Sequence, residues 1–339
     1  MKLTMRANHV VILSVYILTF LIGLPASILS LCAFSVKVRS KATPTNVLLL
    51  NLTVSDLLFL LFLPLKMHEA ASGMRWDLPY FLCSVTSFFF FSTIYTSSLL
   101  LMAVSVDRYL GVAFPIRYKL LRKPVYGALG GAFAFVFGSG SCSIVFFTQH
   151  LLPGNTPGNT SVCYENFTAR QLEVLLPVRL YLFFVLFLVP LLVCTFCYLS
   201  CIRLLYARPR ICSRKRQKAV GMALGTLLVF VVCFLPYNLS HLLGYLQGDS
   251  PSWRYYTLLL STANTCLDPI IFYFSSSTFQ ATIKHSLYRL MGRRHQPKSS
   301  TNDAVRAKRA EPDIALEITF INDKPDGELL IRMPVNEKL

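Results

Sequence analysis

Charge is scarce in this sequence. Of its 339 residues only 14% are Asp, Glu, Lys or Arg, against roughly 25% in soluble domains, and 54% are hydrophobic. That composition excludes an ordinary water-soluble globule. Acids are scarcer than bases, 16 Asp and Glu against 33 Lys and Arg. The apolar stretches lack the alternating pattern of roughly ten-residue barrel strands. They run instead to about 18 residues or more, enough to cross about 30 Å of hydrocarbon as helices. No inverted repeat of the transporter kind is visible. No nucleophile, base and orienting group stand together and no metal-ligand cluster is present, so enzymatic activity has no support. The basic start MKLTMRANH resembles the head of a signal peptide, yet about 25 apolar residues follow it with no A-x-A site. A signal core is shorter, so this run reads as a first span.

What is present is a series of seven apolar runs, roughly 9–35, 46–68, 80–106, 124–149, 178–205, 217–245 and 255–275. Backbone groups in lipid must pair within their own segment, so these are expected to be helices. The expected fold is an all-α membrane protein, a bundle of seven transmembrane helices. Basic residues cluster after the first, third and fifth spans: Lys37, Arg39 and Lys41; Arg108, Arg117, Lys119, Arg122 and Lys123; Arg203 to Lys218. By the positive-inside rule those connections and the tail are cytoplasmic, and the N-terminus is outside. Topology and anionic inner-leaflet lipid account for much of the +17 formal charge, and nucleic acid need not be invoked.

The expected organisation is an extracellular start over 1–8, the bundle over 9–275, an interfacial amphipathic helix over 276–291 and a disordered cytoplasmic tail over 292–339. The helix is read from Phe279, Ile283, Leu287 and Leu290 on one face, with Lys284 and Arg289 available to lipid phosphates. Ser299, Ser300 and Thr301 in the tail are candidate phosphorylation sites. Most cysteines fall in apolar spans, where they act as small hydrophobes, and Cys212 lies on the reducing side. Cys83 and Cys163 alone face the oxidising side, so a disulfide between them is expected. Asn159 and Asn166 open glycosylation sequons in the same outer loop, whereas the sequons at Asn51 and Asn238 are within membrane.

The anomalies of cost are the ionisable groups inside lipid. Arg179 lies eleven residues before Pro190, about 16 Å of helix. His241 lies five residues beyond Pro236, and Arg254 fifteen before Pro269. All three thus fall at similar outer depth. Helical spacing aligns Phe234, Tyr237 and His241 on one face, and Phe88, Phe91 and Tyr95 on another. An aromatic chamber capped by cations should attract an anion, since guanidinium forks match a carboxylate. The bland alternative is that each arginine snorkels to headgroups, or pairs with Glu69, Glu165, Glu173 or Asp249.

The motifs carry a resemblance. Asp107-Arg108-Tyr109, Asn51 and Asp56 in LNLTVSD, Pro190 with Tyr198, Pro236 in CFLP and Asp268 in DPIIFY come in the order of the class A (rhodopsin-like) G-protein-coupled receptors, with Trp76 ahead of Cys83. The resemblance spans about residues 10–290. It implies that Asp107, Arg108, Tyr109 and Tyr198 serve G-protein coupling, with Asp107 pairing Arg108 at rest. It also implies that Asp56, Ser97, Asn264 and Asp268 converge as a candidate sodium site, with a hydrated polar network or a shared proton as alternatives. No other cofactor is implied. Several residues depart from the pattern: Ser27 and Asp268 where asparagine is usual, Phe135 and Phe234 where tryptophan is, and Phe272 where tyrosine is.

The strings LLPVRL, PYNLSHLLGY, SPSWR and CYENFT are further similar to the free fatty acid receptors of the short-chain type. That resemblance implies acetate, propionate and butyrate as ligands, the carboxylate on Arg179, His241 and Arg254, and Tyr95, Phe91 and Tyr237 around the acyl tail. The implied partners are Gi/o and Gq proteins and arrestin on the phosphorylated tail. Tyr181, Phe91 and Ser141 stand where glutamate, tyrosine and histidine are expected, so ligand preference is open. A receptor for longer fatty acids or another organic anion is the alternative, and an anion transporter is the more distant one.

Overall fold

The computed structural model describes residues 2–150, 163–164, 167–207, 213–251 and 253–275. The expected interfacial helix, the tail and the acceptor asparagines of both outer-loop sequons, Asn159 and Asn166, lie outside the described residues. Twelve α-helices and two π-helical segments make up the elements, with no strand among the described residues. Among the described residues six helices are long and apolar enough to cross a membrane: His9–Ser40, Pro44–Ala71, Tyr80–Ala113, Pro124–Thr148, Ala169–Tyr206 and Ala219–Gln247. The seventh span is broken into Arg254–Thr262 and Asn264–Ser275, each too short to count alone. The break precedes Pro269, which has no N–H to continue the ladder.

Boundaries differ from the hydropathy reading where polar residues still form helix. Span one already begins at Lys2, within the segment expected to be a separate extracellular start. Span five begins at Ala169 rather than near 178, because Thr168 and Gln171 make a reciprocal capping box. Arg179 therefore sits ten residues inside its helix and not at its lip. Span six ends at Gly248, whose φ of 70° supplies the left-handed cap.

Span three, Tyr80–Ala113, is the central post, packed against spans two, four and five. Spans one and two pack together, and span one closes the ring onto span seven. Span four comes unusually close to span two: a Cβ on Gly127 would stand 2.5 Å from the Pro44 carbonyl oxygen, so only glycine fits there.

The prolines of spans five and six are absorbed in a specific way. Pro190 cannot donate to the carbonyl of Leu186, and π-helical winding runs over Leu182–Leu188. The orphaned Leu186 oxygen accepts instead from the Ser98 hydroxyl of span three at 2.9 Å. Ahead of Pro236, whose missing N–H would have met the Val232 carbonyl, the winding over Phe230–Phe234 is again π, and the adjacent Cys233 oxygen accepts from Ser261 of span seven at 2.9 Å. Lipid offers no substitute donor, so neighbouring helices supply them.

Candidate ligand and signalling sites

Arg179, on span five, is 3% exposed. Its Nη1 donates to Ser250 Oγ at 3.1 Å, and its guanidinium lies 5.1 Å from the Phe167 ring centre. Arg254 opens span seven and donates through Nη2 to the Tyr237 hydroxyl at 2.9 Å, lying also over the rings of Tyr237 and Phe91. His241, on span six, is buried, with Nε2 2.9 Å from the Tyr95 hydroxyl of span three. Tyr95 also reaches Asn238 Oδ1, at the longer distance of 3.4 Å. The phenol has one proton: given to Nε2 it leaves the imidazole proton on Nδ1, and given to Asn238 it leaves that proton on Nε2.

Three nitrogens are left over. Arg179 Nη2, His241 Nδ1 and Arg254 Nε are all buried without a hydrogen-bond partner. A buried polar nitrogen without a partner is costly, and the two on charged guanidiniums especially so. Among the described residues no carboxylate forms an ion pair with either arginine. Glu69 is occupied elsewhere, pairing with Lys66 at 2.9 Å and accepting the Cys163 N–H at 2.8 Å. Asp249 accepts the N–H of Ser250. Glu165 lies outside the described residues.

All three side chains border one small cavity of about 20 Å³, with Phe91, Tyr95, Tyr237 and the apolar Val145, Val178 and Leu182. That is space for about one water-sized group. Phe91 and Tyr237 stack at 6.3 Å and Tyr237 meets His241 edge-on at 4.7 Å, whereas Phe88 and Phe234 of the expected aromatic set do not border the cavity and pack on Phe146 and Phe230. Tyr164, Ser250 and Cys142 were not singled out from the sequence. Tyr164 and Cys142 border this cavity, and Ser250 holds Arg179. Tyr164 follows directly on the disulfide cysteine, the one local signal that could have marked it. Burial pushes its phenol above the usual value, with nearby Arg179 pulling the other way. Cys83 and Cys163 form the expected disulfide.

Two of the departures meet in space. Ser141 Oγ and Tyr181 OH are 3.4 Å apart, and Tyr181 is 40% exposed, on the outer flank of its helix. Neither borders the cavity.

The other sequence-expected groups lie in two further places. Asp56, Ser97, Asn264 and Asp268 are all buried inside the bundle. Asn264 Oδ1 and Asp268 Oδ2 have no partner, whereas Ser97 shares a 3.3 Å contact with Ser55. Among the described residues no group of three His, Cys, Asp or Glu forms a metal cluster. At the opposite end of the bundle, Asp107 does not pair with Arg108 as expected. It accepts from Tyr118 OH at 2.8 Å and from the Thr45 hydroxyl. Successive helical residues point about 100° apart, and Asp107 is turned toward spans two and the short helix Pro115–Leu121. Arg108 Nε is buried without a partner. Tyr109 packs edge-on against Phe114 and Phe196, and Tyr198 donates to Thr226 at 3.3 Å.

The chain is similar to known proteins over most of its length. Residues 28–272 match the family described as 7 transmembrane receptor (rhodopsin family). Free fatty acid receptor 3 of Mus musculus is 47% identical over 288 residues, 84% of this chain and 89% of that one. Free fatty acid receptor 2 of Mus musculus is 50% identical over 269 residues, 78% of this chain and 82% of that one. Free fatty acid receptor 1 of Macaca fascicularis is 33% identical, covering 76% of this chain and 89% of its own. The chain belongs to the rhodopsin family, the class A G-protein-coupled receptors, and within it to the free fatty acid receptor family. It is thus a multi-pass plasma-membrane receptor and not an enzyme.

Proposed function

We propose that this receptor binds short-chain carboxylates, acetate, propionate and butyrate, on Arg179 and Arg254 with His241 assisting. The observation that carries the reading is the set of three orphaned buried nitrogens, from three different spans, around one cavity. A carboxylate has two oxygens and about four lone-pair sites to offer them. A neutral ligand would leave both cations uncompensated, whereas a carboxylate offsets one of the two charges and accepts from both forks. The relatives' names, free fatty acid receptors, favour the same ligand class.

The cavity's size favours the short acids over longer ones. At about 20 Å³ it takes a head group rather than a chain. Even propionate must displace wall side chains, so binding and rearrangement of spans three, five, six and seven are linked. A ligand shifts the resting and active states only by its differential affinity for them, and this linkage is a source of that difference. The active state would engage Gi/o and Gq proteins around Arg108, Tyr109 and Tyr198, with Asp107 held aside by Tyr118 and Thr45. Basic connections put this end in the cytoplasm and the N-terminus outside. Arrestin would bind the tail once Ser299, Ser300 and Thr301 are phosphorylated.

The oxygen set of Asp56, Ser97, Asn264 and Asp268 suits a sodium ion, with Asn264 Oδ1 and Asp268 Oδ2 as open ligands. When bound, the ion would neutralise buried carboxylate and hold spans two and seven in the resting arrangement. Sodium is expected to raise the propionate concentration needed for half-maximal G-protein activation, and Asp56→Asn to remove that sodium dependence. Equal sodium sensitivity in both proteins would leave a hydrated network as the better account.

The test of the ligand reading is a panel of unbranched carboxylates of increasing length, read through Gi and Gq reporters. Responses should peak at two to four carbons and fall beyond. A peak at eight carbons or more would favour the long-chain alternative, and anion current without G-protein activation would favour a transporter.

A further inference from the structure

A second, larger chamber lies beside the small one. It has a volume of about 620 Å³ and is bordered by Tyr16, Lys66, Phe90, Asp249, Tyr255 and Leu258 among others. That is within the range of small-molecule pockets, roughly 300–1,000 Å³. Among the described residues only Phe91, Tyr164 and Arg254 border both chambers. The partition is thin: the Phe91 and Tyr164 rings are 5.4 Å apart, and the Arg254 guanidinium lies 5.8 Å from the Phe91 ring centre.

Tyr164 is held there firmly. Its φ is 59°, a left-handed conformation that few residues other than glycine adopt and that persists only where the surroundings impose it. Those surroundings are visible. Cys163, the preceding residue, is tied to span three by the disulfide and to span two by its N–H on Glu69, which Lys66 fixes in turn. On its other side the ring meets Phe167 edge-on at 4.9 Å, and it is 8% exposed.

We propose that Tyr164 sets the acyl length this receptor accepts. Its ring, backed by Phe91, walls the inner chamber off from the outer one. Removing it would join the two, leaving the carboxylate on Arg179 and Arg254 while a longer chain runs out along Phe90, Tyr255 and Leu258. Each methylene taken from water adds affinity once space exists for it, so the preference should lengthen and not merely weaken. The inference rests on the carboxylate reading above and adds to it the element that limits the tail.

Dose-responses to unbranched carboxylates from two to ten carbons, normalised to surface receptor, test this in wild type, Tyr164→Ala, Tyr164→Phe and Phe91→Ala. Tyr164→Ala is expected to move the optimum to six carbons or more, with octanoate gaining about tenfold or more on propionate. Tyr164→Phe keeps the ring and should keep the wild-type order. Phe91→Ala opens the same partition from span three and should shift preference the same way, so poor expression of one variant leaves the other decisive. A wild-type chain-length order in the alanine variants, beside a wild type that answers propionate, overturns the proposal alone. A wild type that answers no carboxylate overturns the binding reading beneath it.

Discussion

Arg179→Ala is expected to weaken the response to propionate at least about thirtyfold while the receptor still reaches the cell surface. Removing one partner of a buried, hydrogen-bonded charge pair costs about 2–5 kcal/mol, and about 2 kcal/mol already corresponds to some thirtyfold in affinity. In the free receptor the same substitution removes a buried cation whose Nη2 has no partner, so the fold should not suffer in proportion. Arg254→Ala should behave alike, and the double variant should be little worse than either, since both arginines act on one carboxylate. Arg179→Lys should fail to restore full potency, because an ammonium cannot hold Ser250 and a carboxylate in the geometry of a planar fork. The check is a propionate dose-response with surface expression measured alongside. An unchanged curve would remove Arg179 from the site.

The second large effect is expected at Cys163. Its disulfide to Cys83 joins residues 80 apart in sequence, and loss of such a link typically costs about 2–5 kcal/mol. Cys163→Ser should therefore lower the melting temperature of the purified receptor and move the carboxylate preference of whatever reaches the surface toward longer chains. The second consequence follows from position: Cys163 carries Tyr164, which borders the inner cavity beside Arg179 and Arg254. Glu69→Gln should be milder, because an amide oxygen still accepts the Cys163 N–H although the Lys66 ion pair is lost. Equal damage from both substitutions would mean that the anchoring of this loop is governed by charge rather than by the covalent link.

Much of this was legible in the sequence because lipid imposes strong rules. Apolar runs had to be helices, and the bundle of a rhodopsin-family receptor follows from them. The depth of Arg179, His241 and Arg254 could be counted from prolines, since helical rise is constant, and the three do border one cavity. What could not be counted was rotation and loop placement. Asp107 faces Tyr118 and Thr45 instead of Arg108, a matter of which way adjacent side chains point. Ser141 and Tyr181, read separately as departures, touch each other away from the cavity. Tyr164 and Ser250 belong to connections between helices, where no periodicity speaks. Ser98 looks like one more small polar residue in the stretch IYTSS, and only the missing N–H of Pro190 explains why its hydroxyl turns to Leu186.

The central claim is that the ligand is held by its negative charge, between two buried guanidiniums. Propionamide has nearly the shape of propionate and none of its charge. G-protein activation by the two compounds, at matched concentrations over the same receptor, is therefore the most direct measurement. Propionate should activate and propionamide should neither activate nor compete. Comparable potency from the two would contradict the account.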